Sequence, residues 1–300
     1  MAIPQPTHNG QTVHYAILAN PCAGRMTVAQ KRSALSAAAG LLKAPVHGLE
    51  TRSRAEFIRC ARELAEQCDV LVVAGGDGTV SDVINAIDTR CRPIAHIPLG
   101  TGNALRFALN SDALASRAAQ RIKSGRIRTF DLIECDGALR AFMVSIGIES
   151  HILKRFASSH LRPHLAFMRY AYITLTAYFH TYKPPRVVFE LDHHRLIEKK
   201  MLSLMVMKQP YYGFGMNVMP EARFDDGLLH VRCTGTNLIQ TLWSVLTAFT
   251  IGNRAGKHFT GHNLAIQSDR PLCMQTDGNP GWCSDHFRLR VLPRGLKIKF

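Results

Sequence analysis

Three glycine-rich segments each follow a short apolar run: Asn20-Pro21-Cys22-Ala23-Gly24 after Tyr15–Ala19, Gly75-Gly76-Asp77-Gly78-Thr79 after Val70–Ala74, and Pro98-Leu99-Gly100-Thr101-Gly102-Asn103 after Ile94–Ile97. Turns without Cβ atoms let backbone N–H groups close on an anion, and a helix starting at each turn adds the positive end of its dipole. The chemistry that suits these residues is the grip on a polyphosphate. Within it, Asp77 can face a magnesium ion or the nucleotide's surroundings, and the Thr101 hydroxyl can reach a phosphate or a ribose. GxGxxG spacing is absent and no acidic residue follows at the expected distance, so this is not a dinucleotide fingerprint. Two further carboxylates stand in the second half. Asp225-Asp226 before Gly227 makes either a simple turn or, with backbone carbonyls, a hard-cation site. Asp277, in Gln275-Thr276-Asp277-Gly278-Asn279, reads by itself as a β-turn residue.

Such turns need a parallel sheet to aim them. Helical patterns at Val28–Leu42, Ala55–Glu66, Val80–Ile87 and Ala113–Ser124 alternate with the apolar strands, and ligands in such α/β layers bind beyond the carboxyl ends of the strands. Thr79 and Asp82 read as an approximate capping box for the third of these helices. After Phe130-Asp131-Leu132 the texture becomes strand-like, with runs at Ile133–Cys135, Ala141–Ile146, Val187–Leu191, Met201–Met207, Leu228–Cys233 and Phe287–Leu292. Two helices are expected there, His164–Tyr182 and Leu238–Thr250, and both read as core-packing. In the first, Leu165, Met168, Tyr172, Leu175 and Phe179 fall near one face, and Phe167, Arg169, Tyr170 and Tyr172 leave a lipid-facing surface as the lesser alternative. His193-His194, between two strands, reads as a hairpin tip rather than a metal site.

The chain has 300 residues, 46% of them hydrophobic, and divides best into an α/β domain over residues 12–130 and a mostly β domain over 131–300, its last strand returning to the first domain. The amino terminus lacks a signal-peptide pattern and no apolar stretch is long enough to span a membrane, so a cytoplasmic protein is expected. Eight cysteines without a CxxC pair fit buried thiols in a reducing compartment and no transition metal. The net charge of +15 suits an anionic partner. With no recognisable nucleic-acid motif beside it, an anionic membrane surface with peripheral association leads over nucleic acid.

In order along the chain, NPxxG at Asn20, GGDGT at Gly75, PLGTGN at Pro98, PxAxxDDGLL from Pro220 and the terminal DG at Asp277 make the sequence resemble the diacylglycerol kinase catalytic family, which includes bacterial lipid kinases and sphingosine and ceramide kinases. The resemblance runs from about Tyr15 to Ile298. It implies a phosphofructokinase-like nucleotide domain with a parallel sheet, a β-rich lipid domain and an active site between them. By motif position it implies that ATP contacts Thr51, the segment Gly75, Gly76, Asp77, Gly78, Thr79, Val80 and Ser81, and the turn Gly100, Thr101, Gly102 and Asn103. Thr51 reads equally well as a helix N-terminal residue. Asp77 would organise nucleotide and Mg2+, Asp277 would be the catalytic base, and a structural magnesium would take the Asp226 side chain with the carbonyls of Arg223 and Leu228.

Two positions depart from the family pattern. Ala104 stands where many bacterial members have Asp, as in sphingosine and ceramide kinases, and Asn279 replaces the Glu of the usual DGE. The expected activity is ATP-dependent phosphorylation of a lipid hydroxyl, on a diacylglycerol-, phosphatidylglycerol- or sphingoid-like acceptor. The alternatives are a soluble NAD kinase, whose family also carries GGDGT, and a non-catalytic lipid or nucleotide sensor. A homodimer is compatible with the sequence.

Overall fold

The computed structural model describes residues 13–157 and 172–300. Four parallel strands form one end of its sheet, in the order β4 (Ile94–Pro98), β3 (Val70–Gly75), β1 (Tyr15–Ala19) and β2 (Val46–His47). Every residue of β3 and β4 is buried, since helices cover both faces. Alternation sorts the side chains. Ile17, Val70 and Val72 pack with Leu35 and Leu42 of α1 (Val28–Leu42) and Ala118 and Ile122 of α5 (Ala115–Ser124). Leu18, Leu71 and Val73 pack with Phe57 and Leu64 of α2 (Arg54–Gln67) and Val80 and Ile84 of α3 (Asp77–Ala86).

The sheet does not stop at the end of this half. β14 (Asn279–Lys299) pairs in parallel with β4 at Ile298 and Ile94, and antiparallel with β5 (Ile127–Cys135) and β13 (Asn263–Thr276). Beyond β13 follow β7 (Met143–Gly147), β10 (Met201–Met207), β11 (Leu229–Gly235) and β12 (Lys257–Gly261), so the described strands form one continuous sheet. Short β6 (Leu139–Ala141) joins β5, and the hairpin β8 (Val187–Leu191) and β9 (His194–Glu198) joins β13, with its turn at Asp192-His193. A second core, including Val144, Ile146, Phe189, Leu204, Val231, Ile266 and Phe287, lies under this half. Further helices include α4 (Ala104–Ala108), α6 (Ile148–Ala157) and α7 (Leu238–Ala248).

Several expectations are corrected here. The α3 helix starts at Asp77, its N-cap is Gly76 with no side-chain bond, and Thr79 and Asp82 therefore lie inside the helix rather than forming a capping box. Asp82 instead pairs with Arg54. The expected strand Ala141–Ile146 breaks at Phe142, whose N–H leaves the ladder to donate to the Asp277 carboxylate at 3.1 Å. Cys273 and Cys283 are not free thiols but a disulfide, formed because the β13–β14 register sets them opposite each other. A ten-residue separation hides that pairing from a search for CxxC.

The two expected core helices also differ. In α7 the polar Gln240, Thr241, Ser244 and Thr247 turn inward, while Leu238, Ile239, Leu242, Trp243, Val245 and Leu246 are exposed. Residues 172–176 are helical and continue into a wider turn at Ala177–Thr181, where Ile173 and Ala177 are buried and Tyr172, Leu175 and Phe179 are exposed. The rest of the expected helix, with Leu165, Phe167, Met168, Arg169 and Tyr170, lies outside the described residues. No helix among the described residues is long and apolar enough to cross a membrane.

Candidate active site

The carboxyl ends of β1, β3 and β4 bring the glycine turns into contact. A Cβ added at Gly100 would sit 2.4 Å from the Gly76 Cα, so the second and third turns pack backbone against backbone and only glycine fits. Asn20 joins the first turn to the second, its Nδ2 donating to Thr79 Oγ1 at 2.9 Å while its Oδ1 accepts from the Cys22 N–H. Asn103, in the left-handed region at φ 47°, closes the third turn on itself: Oδ1 accepts from the Gly100 N–H and Nδ2 donates to the Gly100 carbonyl.

Asp77 holds the second turn to the helix that follows the third. Its two oxygens accept from the Ala104 and Leu105 N–H groups at 2.8 and 3.0 Å, satisfying first-turn donors of α4. Burial raises its pKa, partly offset by these N–H bonds. Ala104 is fully buried at this point, and an aspartate there would set a second carboxylate beside Asp77. Beneath Gly75, buried His96 bonds to the Gly75 carbonyl, and burial pushes its pKa down.

Asp277 arrives from the other half, at the β13–β14 turn, with φ 51°. It is wholly buried; Oδ1 accepts from the Phe142 and Met143 N–H groups, and Oδ2 has no partner. Loss of solvent raises its pKa well above the ordinary carboxylate value, the Asp77 charge adds to this, and the neighbouring Ser81 hydroxyl with the Met143 and Phe142 N–H groups pulls the other way. Next to it, Asn279 Nδ2 donates to the Gly78 carbonyl at 3.1 Å and to Asp82 Oδ1 at 3.3 Å. This pair of bonds seats the β13–β14 turn on the GGDGT helix. Asn279 serves here better than a glutamate, which would bring a third acceptor to Asp82 and the Gly78 carbonyl.

Other expected site residues sort by placement. Ser81 is buried beside Asp277, whereas the Val80 side chain lies in the core and could meet a ligand only through its backbone. Thr101 is exposed, and the Gly102 carbonyl accepts from Phe214 in the turn Gly213–Gly215, which crosses over the third turn. Thr51 gives its hydroxyl to the Gly48 carbonyl, and the N-cap of α2 is Ser53 rather than Thr51. Two of the three expected metal ligands, Asp226 and Leu228 but not Arg223, are engaged: Asp226 Oδ1 and the Leu228 carbonyl each lie 2.7 Å from Lys208 Nζ, and Asp226 Oδ2 lies 2.6 Å from His230 Nε2. Among the described residues no group of three or more His, Cys, Asp or Glu side chains could hold a metal ion. Lys208, Phe142 and the Phe214 turn were not anticipated. For Lys208 a signal existed, as a lone charge ending the apolar run Met201–Met207.

Residues 14–135 match the diacylglycerol kinase catalytic domain, and residues 142–300 match the YegS C-terminal NAD kinase beta sandwich-like domain. The chain belongs to the family that joins a diacylglycerol kinase catalytic domain to a YegS C-terminal NAD kinase beta sandwich-like domain. This family member is 23% identical over 257 residues to "Uncharacterized protein sll0036" of Synechocystis sp., covering 81% of this chain and 58% of that protein. It is 31% identical over 90 residues to "Putative lipid kinase SAR0780" of Staphylococcus aureus strain MRSA252, covering 29% of this chain and 30% of the relative. The matched region is thus less than two thirds of either relative's length. Its fold is that of a solved structure titled "Crystal structure of a putative diacylglycerol kinase from Bacillus anthracis str. Sterne", with TM-score 0.75, 18% identity and coverage of 97% and 98% of the two chains. A structure titled "Crystal structure of an NAD kinase from Archaeoglobus fulgidus in complex with ATP" aligns more remotely, at TM-score 0.50 and 12% identity.

Proposed function

We propose that this diacylglycerol kinase family member transfers the γ-phosphate of ATP to a lipid hydroxyl, with Asp277 as proton acceptor. The observation that carries the reading is the seating of the Asp277 turn on the GGDGT helix through Asn279, which sets a buried unpartnered carboxylate oxygen beside close-packed glycine turns. An NAD kinase titled as an ATP complex shares the general fold, which supports ATP as donor.

Bound Mg-ATP would supply the phosphoryl group and neutralise its charge. The glycine turns would position the phosphate tail by close backbone approach. Asp77 would act by fixing the α4 N-terminus against the second turn. Asp277 Oδ2 would accept the hydroxyl proton, and the raised pKa of that carboxyl suits a base working nearer neutrality. The Phe142 and Met143 N–H groups fix its other oxygen, so the accepting oxygen is held in place during transfer.

An anionic membrane surface as the place of work is supported by the outward apolar face of α7. That face continues past the helix in Phe249 and Ile251, and Ile239 is 80% exposed. Tyr178 donates to the Thr236 carbonyl at 3.0 Å, tying the exposed Tyr172, Leu175 and Phe179 segment to the start of α7. A patch of this kind on a chain of net charge +15 fits the headgroup boundary of an anionic bilayer.

The test is incubation with γ-labelled ATP, magnesium and total bacterial lipid, with NAD supplied in a parallel reaction. A labelled lipid is expected. Label on NAD alone would replace this reading with the NAD kinase one, and ATP binding without any labelled acceptor would favour a sensor.

A further inference from the structure

Lys208 follows directly on β10 and is fully buried. Its ammonium meets three oxygens: Asp226 Oδ1 at 2.7 Å, the Leu228 carbonyl at 2.7 Å and Asp131 Oδ2 at 3.1 Å. The ammonium donates to Asp226 Oδ1 and the Leu228 carbonyl, and it forms an ion pair with Asp131 Oδ2. The separations are those of N–H···O bonds, well beyond the ~2.0–2.1 Å of a magnesium–oxygen contact. The same carboxylate and carbonyl that would hold a hard cation therefore converge on a point that Lys208 Nζ occupies.

The surroundings are built around that charge. Asp131 Oδ2 also accepts from the Gly227 N–H, Asp131 Oδ1 from the Arg294 N–H, and the Asp131 N–H donates to the Phe224 carbonyl. Asp226 Oδ1 accepts a second bond from Leu228 N–H, and Asp226 Oδ2 faces His230, whose other ring nitrogen lies 3.3 Å from His258. One buried cation thus ties β5, the 224–228 loop and the end of β10 together, with Arg294 of β14 joined through Asp131. The anchor reaches toward the reaction centre as well, since the Lys208 N–H donates to the Phe142 carbonyl and the Phe142 N–H donates to Asp277.

We propose that the Lys208 ammonium is the resident cation of this pocket, replacing a bound divalent ion with a covalently attached charge. The 224–228 loop is then locked without metal, and divalent ions enter the protein's behaviour only with nucleotide. Removing one partner of a buried ion pair leaves uncompensated charge and is strongly destabilising. Cutting Lys208 back to alanine does more than that: it opens a cavity facing two carboxylates and a carbonyl, which is a divalent-ion site.

The experiment uses nucleotide-free protein and reads Mn2+ binding by electron paramagnetic resonance together with melting temperature, in chelator and in millimolar magnesium. For the wild type we expect no Mn2+ site that depends on Asp226 and the same melting temperature in both conditions. Lys208→Ala is expected to melt several degrees lower in chelator, to acquire a Mn2+ site and to recover part of the loss in magnesium. Adding Asp226→Asn to it should abolish both gains. Lys208→Met, which fills the space without charge, should be destabilised and gain nothing from magnesium. A wild-type Mn2+ site that Asp226→Asn removes would overturn the proposal, as would a folded Lys208→Ala protein indifferent to divalent ions. If Lys208→Ala does not fold, the wild-type and Asp226→Asn measurements decide alone.

Discussion

Asp277 Oδ2 is a buried acceptor without a partner, while Oδ1 is pinned by two backbone N–H groups. That asymmetry separates binding from turnover. Asp277→Asn keeps the shape of the turn and should leave the Kd for ATP unchanged while lowering kcat by roughly 10²- to 10⁴-fold, as measured by calorimetry and steady-state kinetics. Since burial raises this pKa, the proposed base is protonated at acid pH, and wild-type turnover should climb as pH rises through the raised value. Glu149 offers a second titration, in stability rather than rate. Its Oε2 is buried without a partner, and burial pushes its pKa up to about 7, against the pull of Ser203. Between the unfolded value of 4.5 and about 7 the folded chain holds a proton that the unfolded chain has released, so stability falls as pH rises across that window and levels off above it. Glu149→Gln should remove this slope and stabilise the protein at pH ~8 by on the order of 1–3 kcal/mol relative to wild type, read from urea unfolding at the two ends of the window.

At the level of elements, the proposed catalytic arrangement depends on how closely the β13–β14 turn rests on α3. A Cβ at Gly78 would lie 2.5 Å from Asn279 Oδ1 and 3.1 Å from its Cγ. Gly78→Ala should therefore displace the Asn279 amide, break its bonds to the Gly78 carbonyl and Asp82 and loosen the seat of the Asp277 turn, at a cost of about 1–3 kcal/mol. Turnover should fall with the circular-dichroism spectrum unchanged, and Asn279→Gly, which removes the same bonds, should lower it similarly; unchanged turnover in both variants would show that this contact does not position Asp277. The helical patterns at Val28–Leu42 and Ala113–Ser124, the second observed as Ala115–Ser124, were legible because their apolar spacing meets the sheet directly. α7 was misread because its apolar face is just as strong a pattern whether it meets a core or solvent. What turns it outward is the burial of Thr247 and Ala248, against partners that no local pattern identifies.

For the molecule as a whole, exposed apolar surface and net positive charge on one chain predict cooperation between them at a membrane. Wild-type protein should cosediment with phosphatidylglycerol-containing vesicles and be released by salt, since the charged contribution is screened. Ile239→Asp combined with Trp243→Asp should reduce vesicle binding by about tenfold or more, since each exchange removes an apolar contact and adds repulsion from an anionic surface. The melting temperature should stay unchanged, because both side chains are already exposed. Light scattering distinguishes the other occupant: if wild type is a dimer and the variant a monomer with vesicle binding intact, the face is a subunit contact.

The residue order alone determined the parallel half, the glycine turns at its strand ends and the identity of the carboxylates, because apolar runs, missing Cβ atoms and helix starts act over a few neighbouring residues. Which carboxylate is buried, which is paired and by what was decided only in three dimensions. Asp77 became a clamp on α4, Asp226 took Lys208 and His230, and Asp277 lost its solvent, since each outcome depends on groups between 4 and 135 residues away that strand order and turns bring together. Charge and hydrogen-bonding capacity are written in the chain, but desolvation is a property of the packed molecule.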